Sequence, residues 1–155
     1  MKDIANENLP IVFCFGSLNM REIPEEVLPR IAAIVKKGLH VVIGDAPGAD
    51  YMIQAALNRL GHRHVTVFFA TNKEIGVDGP RFKVNPAWDQ HTVDTTHRGR
   101  KMYEMKDMAM QIMAQCGLGI WDGNSQGTRR NVEILMQDKK PCLVWNDAKA
   151  KLTQV

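Results

Sequence analysis

The stretch Gly119-Ile120-Trp121-Asp122-Gly123-Asn124-Ser125-Gln126-Gly127-Thr128-Arg129-Arg130-Asn131-Val132-Glu133 runs from an apolar segment, through a turn of small hydrogen-bonding residues, into an amphipathic pattern. That succession reads as strand, loop and helix, the unit that presents backbone N–H groups to an anion. Glycine, asparagine and serine also dominate ordinary strand-to-helix turns for conformational reasons alone. The composition of the turn therefore leaves both uses open.

Working outward, the same succession recurs. Residues 11–15 are continuously apolar and end at Gly16-Ser17, which suits a strand buried on both faces. Val27, Leu28, Ile31, Ile34 and Val35 follow with helical spacing, the regular helix starting at Pro24 or near Pro29, and Gly38 ends it. Residues 40–43 lead into Gly44-Asp45-Ala46-Pro47-Gly48-Ala49-Asp50, then a second helix carries Met52, Ile53, Ala56, Leu57 and Leu60 to a stop at Gly61. Residues 65–69 read as the third strand.

Residues 71–99 break this rhythm, with Gly76, Gly79, Pro80 and Pro86 and no sustained period. A partly ordered loop over the site is expected there, a surface excursion hiding a short element being the alternative. Residues 100–114 are helical, with Met102, Met105, Met108 or Ala109, and Ile112 or Met113 spaced for one buried face, where methionine reads as core filler. Residues 118–121, 128–137 and 141–145 supply the fourth strand, fourth helix and fifth strand, and the polar tail from Asp147 is expected to be loose. The alternation predicts an α/β fold: a Rossmann-like, doubly wound parallel sheet of five strands in the order 3-2-1-4-5, with helices on both faces. It predicts one domain over residues 1–155, with its core at about 11–146.

The totals narrow the function. A chain of 155 residues, 45% hydrophobic and 24% charged, has the composition of an ordinary globular domain. Its 20 Lys+Arg against 17 Asp+Glu give a charge of only +3, which argues against nucleic acid as a partner. The basic residues are instead local: His97, Arg98, Arg100 and Lys101 in one cluster, Arg129 and Arg130 in another. Cys14, Cys116 and Cys142 are odd in number, lack C-x-x-C spacing and lie in or beside apolar runs, so buried free thiols are expected. The first ten residues hold no signal-peptide core and no run nears the roughly 20 apolar residues of a membrane span, so a cytoplasmic protein with no membrane partner is expected. His62 and His64 are expected at the surface and His91 and His97 in a loop, none with metal-ligand spacing, and no metal or cofactor is expected.

In the order 3-2-1-4-5 the loops after strands one and four lie side by side across the crevice where strand order reverses. Gly16, Ser17 and residues 122–128 then face one ligand, flanked by residues 44–50. The better phosphate candidate is the loop of Asp122, Gly123, Asn124, Ser125, Gly127 and Thr128, which has two glycines, two hydroxyls and a helix N-terminus. Arg129 and Arg130 oppose the helix dipole at roughly 0.3–1 kcal/mol each, which a bound anion would compensate. Side chains reaching into water or to carboxylates would do so equally. Asp45 and Asp50 would repel phosphate, and suit a ribose hydroxyl or plain capping. Arg98, Arg100 and Lys101, at a helix start, fit either the completion of an anion site or a solvated basic patch.

The turn Gly44-Asp45-x-x-Gly48-Ala49-Asp50, the Arg100-Lys101 pair opening a helix, and Trp121-Asp122-Gly123-x-Ser125-x-Gly127-Thr128 together resemble the SLOG superfamily of Rossmann-like nucleotide-binding domains. That group includes the LONELY GUY phosphoribohydrolases, the DprA proteins and small stand-alone sensors; this chain looks most like the last. The resemblance spans residues 11–145. It implies a site for a nucleotide-derived ligand, ADP-ribose-like or a nucleoside monophosphate, with phosphate on residues 123–128 and with Gly16, Ser17, Gly48, Ala49 and Asp50 on the nucleoside side. It also implies a homo-oligomer. The alternative it implies is an N-glycosidic bond hydrolase or deoxyribosyltransferase-like enzyme, with Asp122 or Glu133 as its carboxylate and Arg100 on phosphate. The phosphoribohydrolase pattern P-G-G-x-G-T-x-x-E is broken here, because Asn131 stands in place of its Glu and Glu133 lies about 200° away around the helix.

Overall fold

The computed structural model describes residues 9–155. Its strands are β1 (Ile11–Gly16), β2 (His40–Gly44), β3 (Val65–Thr71), β4 (Asp89–Asp94), β5 (Cys116–Trp121), β6 (Cys142–Asn146) and β7 (Lys151–Gln154). Four helices connect them: α1 (Leu28–Lys37), α2 (Ala49–Arg59), α3 (Gly99–Met113) and α4 (Gln126–Gln137). All twelve residues of α4 follow directly from the Asp122 turn. No helix among the described residues is long and apolar enough to cross a membrane.

The sheet has seven strands in the order β4-β3-β2-β1-β5-β6-β7, not five. Its pairs are parallel except β6 with β7. The five strands expected from apolar runs occupy the middle, and the two additions lie at the edges. β4 falls in the stretch read as a loop, and β7 in the tail read as loose. Both are polar because an edge strand in water needs no apolar faces, and charges there discourage further pairing.

Alternate residues of the central strands feed two cores. Val12, Cys14, Val41, Ile43, Leu118 and Ile120 pack with Ile31 and Ile34 of α1 and Ile53 and Leu57 of α2. Phe13, Phe15, Val42, Phe68 and Val144 pack with Met110 of α3 and Leu135 of α4. Pro29 sits in the first turn of α1, where its missing N–H leaves no bond unmade. Of the alternatives expected in the buried stripe of α3, Ala109 and Met113 pack against the core while Met108 and Ile112 are exposed; the fully buried positions are Met102, Lys106, Met110 and Gln111.

Within residues 71–99, residues 82–84 are anchored by one buried side chain. Gln54 of α2 donates from Nε2 to the Gly44 carbonyl at 2.9 Å and to the Phe82 carbonyl at 3.2 Å, and its Oε1 accepts from the Val84 amide at 2.9 Å. Trp88 is buried and donates its indole N–H to the His62 carbonyl at 2.9 Å. His62 is correspondingly buried, not at the surface, with Nε2 donating to the Leu39 carbonyl at 2.8 Å. His64 is exposed, while His91 lies on β4 against the Phe68 ring. The cysteines are free thiols, two buried and Cys116 half-buried.

Candidate functional site

Strand order reverses between β1 and β5, and a cleft of about 510 Å³ opens at the carboxyl ends of the central strands between α3 and α4. Open α/β sheets bind ligands at such a point. The cleft has two chemically different walls.

The first wall is a cluster of hydroxyls. Ser17 Oγ lies 2.7 Å from Ser125 Oγ and 3.2 Å from Thr128 Oγ1, and Ser125 Oγ is 3.2 Å from Thr128 Oγ1. Ser17 comes from the end of β1, Thr128 from the first turn of α4, and both are buried. The Asp122 amide donates to Ser17 Oγ at 3.0 Å, which fixes the two loops to each other. Ser125 is the N-cap of α4 but makes no side-chain cap, so the first amides of α4 lack acceptors within the helix. Gly127 has nothing within 4 Å of the place a side chain would occupy, which leaves that backbone open. Rotatable hydroxyls and unsatisfied amides at a helix N-terminus can all donate to one anion.

The second wall is ionic. Lys106 of α3 is buried, with Nζ 3.4 Å from Asp45 Oδ1 and 3.8 Å from Asp107 Oδ1. Arg81 grips Asp45 from the other side, with Nη2 to Oδ1 at 2.9 Å, Nε to Oδ2 at 3.2 Å and its backbone amide to Oδ2 at 2.8 Å. Burial would raise the Asp45 carboxyl, but the Arg81 hydrogen bonds and the Lys106 charge bring it below the usual carboxylate range. Asp50 lacks such a grip. Burial pushes it up to about 7 against the pull of Lys106, with the Asp107 charge adding to the rise, and its Oδ2 accepts one bond, from the Ala46 amide at 3.2 Å. Asp107 is also raised by burial, although Lys106 and the Asn131 amide oppose it.

Gly44 makes this wall possible. A Cβ there would stand 2.5 Å from Asp50 Oδ2 and 2.8 Å from Lys106 Nζ, so only glycine lets both reach the cleft. Gly48 has φ of 82°, and its Cβ would meet the Leu18 carbonyl oxygen at 2.3 Å. The Ala49 amide that follows donates to the Ser17 carbonyl at 3.1 Å, joining the two glycine turns.

The expected site residues divide accordingly. Gly16, Ser17, Gly44, Asp50, Arg100, Asn124, Ser125, Gly127 and Thr128 line the cleft. Asp45 lies behind Lys106 and Arg81, while Gly48 and Ala49 form its supporting turn. Asp122 spends Oδ1 on the Asn124 and Ser125 amides at 2.8 and 2.7 Å, which hold its carboxyl low despite the opposing effect of burial. Gly123, at φ of 89°, turns the chain beneath it against Ala148. Glu133 and Arg98 are exposed and outside the cleft lining, and Arg129 stacks over the Trp121 ring at 5.5 Å. Arg100 donates to Gln126 Oε1 at 3.0 Å across the mouth.

Sequence reading passed over Lys106, Asp107, Arg81, Tyr103 and the orienting role of Asn131, all of which line the cleft. A signal existed for Lys106: it stands four residues after Met102 and four before Met110, so helical spacing alone puts it on the buried line. Arg81, stacked 4.3 Å over the Tyr103 ring, had none, because its place depends on Gln54 anchoring residues 82–84.

No protein-family model matches the chain, and no curated protein matches it. Among solved structures it is similar to the X-ray structure of DNA processing protein A (DprA) from Streptococcus pneumoniae, with a TM-score of 0.58 and 13% identity over 88% of this chain. The chain spans about half the length of that protein, the match covering 50% of it. At that identity the likeness is one of architecture: the chain shares the mostly parallel, Rossmann-like α/β fold of DprA, a member of the SLOG group.

Proposed function

We propose that the chain binds a nucleotide or nucleotide-derived ligand in the cleft, with phosphate on Ser17, Ser125, Thr128 and the first turn of α4. The convergence of three hydroxyls, 2.7 to 3.2 Å apart, on an uncapped helix N-terminus carries this reading. On the opposite wall Arg81 and Lys106 are already paired with Asp45, and Asp50 and Asp107 lie beside them, so an anion is favoured at the hydroxyl end. ADP-ribose and the nucleoside monophosphates are the candidate ligands. An N-glycosidase using Asp122 is the weaker reading, since that carboxylate is engaged in its own turn. Glu133 is exposed and is not among the residues lining the cleft.

Isothermal titration against ADP-ribose and the nucleoside 5′-monophosphates tests the proposal. Binding by the wild type, weakened about tenfold or more in Thr128→Val through loss of a hydrogen bond to a charged group, is the expected result. Silence from every ligand at millimolar concentration would overturn it. A salt-sensitive shift of DNA with no nucleotide heat would instead favour a nucleic-acid ligand.

A further inference from the structure

We propose that Asp50, Lys106 and Asp107 form a ribose-reading wall that holds the vicinal 2′,3′-diol of a ribonucleotide and rejects its 2′-deoxy counterpart. The inference rests on the phosphate reading above and specifies what lies beyond the phosphate.

The wall offers an alternation of acceptor, donor and acceptor. Asp50 accepts one protein hydrogen bond, from the Ala46 amide, and lines the cleft. Lys106 carries three N–H donors, of which Asp45 takes one at 3.4 Å; Asp107 Oδ1 at 3.8 Å is beyond hydrogen-bond range. Asp107 accepts from Asn131 Nδ2 on Oδ2 at 3.2 Å, which leaves Oδ1 available. Each hydroxyl of a diol donates one hydrogen bond and accepts others. One hydroxyl can therefore donate to each flanking carboxylate while both accept from the ammonium between them. A phosphate finds no unpaired cation here among the described residues, because Arg81 and Lys106 both face Asp45, and an amino group of a base, which donates but does not accept, would leave the free Lys106 N–H groups without a partner.

Position favours the sugar over the base. Asn131, which holds Asp107, stands three residues after Thr128 on α4, a separation of about 4.5 Å along the helix. Gly44 ends β2, and β2 neighbours β1, about 4.8 Å away, from whose end Ser17 projects. The ionic wall thus begins one helical turn and one strand from the hydroxyl cluster. The diol of a ribose lies one sugar ring from its 5′-phosphate, and the base lies further off.

Titration of the whole chain with AMP, GMP, CMP and UMP beside their 2′-deoxy counterparts tests the inference without any substitution. At least one ribonucleotide is expected to bind about tenfold or more tightly than its deoxy form, because the missing hydroxyl leaves buried polar groups unpaired. Of Asp50→Asn and Asp107→Asn, which keep the shapes of the side chains, the one that replaces the acceptor of the 2′-hydroxyl should reduce that ratio to about twofold, while the other weakens both forms together; a merely structural role would leave the ratio unchanged in both. Equal binding of the two series overturns the wall and leaves the phosphate reading intact. A full ribose preference persisting in both Asp50→Asn and Asp107→Asn also overturns the wall as assigned. Binding of neither series overturns this inference, and silence from ADP-ribose as well removes the phosphate reading with it.

Discussion

The side-chain amide of Asn131 donates to Asp107 Oδ2 at 3.2 Å, joining α4 to α3 across the floor of the cleft. Its carbonyl oxygen is held in turn by Gln111 Nε2 at 2.6 Å, so the Asn131 orientation is fixed at both ends. The pair matters because Asn131 and Gln111 are buried and have no water to fall back on. Asn131→Leu should cost about 1–3 kcal/mol in chemical denaturation, from stranding the Gln111 amide and the Asp107 carboxylate. Asn131→Asp should cost more, since it sets a second carboxylate against Asp107. A loss below about 0.5 kcal/mol in both would show that the bridge does not hold the two helices together.

Asp50 predicts a pH dependence of stability. Its carboxyl titrates near 7 in the folded chain, against an ordinary value of 3.8, because burial disfavours the charged form. The folded state therefore binds more protons than the unfolded state between about pH 4 and 7, and Asp50 makes the fold lose stability as pH rises through that window. His40 acts in the opposite sense. Burial lowers it to about 4, so its contribution improves as pH rises from there to its ordinary value. Comparing Asp50→Asn with wild type cancels His40 and isolates Asp50. The stability of the variant relative to wild type should climb by up to about 1.4 kcal/mol per pH unit across the window and flatten above it. Parallel curves from pH 4 to 8 would contradict this.

Much of this arrangement was legible before the fold was known, and what was not has identifiable causes. β1, β2, β3, β5 and β6 announce themselves because a strand covered by helices on both faces is mostly apolar, as residues 11–15 are throughout and residues 65–69 are apart from Thr66. β4 and β7 do not, because Asp89-Gln90-His91-Thr92-Val93-Asp94 and Lys151-Leu152-Thr153-Gln154 sit at the rims of the sheet. The glycine turns and Ser125-x-Gly127-Thr128 pointed to residues that line the cleft. They could not show that Lys106 and Asp107 complete its far side, because a methionine-rich helix reads as core and its two charges as solvated. The burial of Lys106 follows from Asp45 and Gly44, which are 61 and 62 residues away in sequence.

Gly44 gives a steric test of the second wall. Gly44→Ala places a methyl group 2.5 Å from Asp50 Oδ2 and 2.8 Å from Lys106 Nζ, and both must move. Overpacking of this kind costs about 1–3 kcal/mol. The displaced groups face the cleft, so ligand affinity should fall further than stability does. Thermal unfolding and titration on one preparation decide it: unchanged affinity in a folded Gly44→Ala protein would mean that the space beside Gly44 is not used by the ligand.

The paired arginines yield the sharpest contrast between sequence and structure. Arg129 and Arg130 open α4, where cations oppose the helix dipole, and a bound anion is one compensation for that placement. In the structure Arg129 lies over the Trp121 ring at 5.5 Å, a contact worth about 0.5–1 kcal/mol at an exposed site. On the proposed reading the hydroxyl cluster, not the guanidinium, faces the phosphate. Arg129→Ala should lower stability by no more than about 1 kcal/mol and keep ligand affinity within about twofold. Thr128→Val, one residue away, should weaken binding about tenfold or more. If Arg129→Ala abolishes binding while Thr128→Val is silent, the anion is held by side-chain charge outside the cleft and not by the hydroxyls and amides at the start of α4.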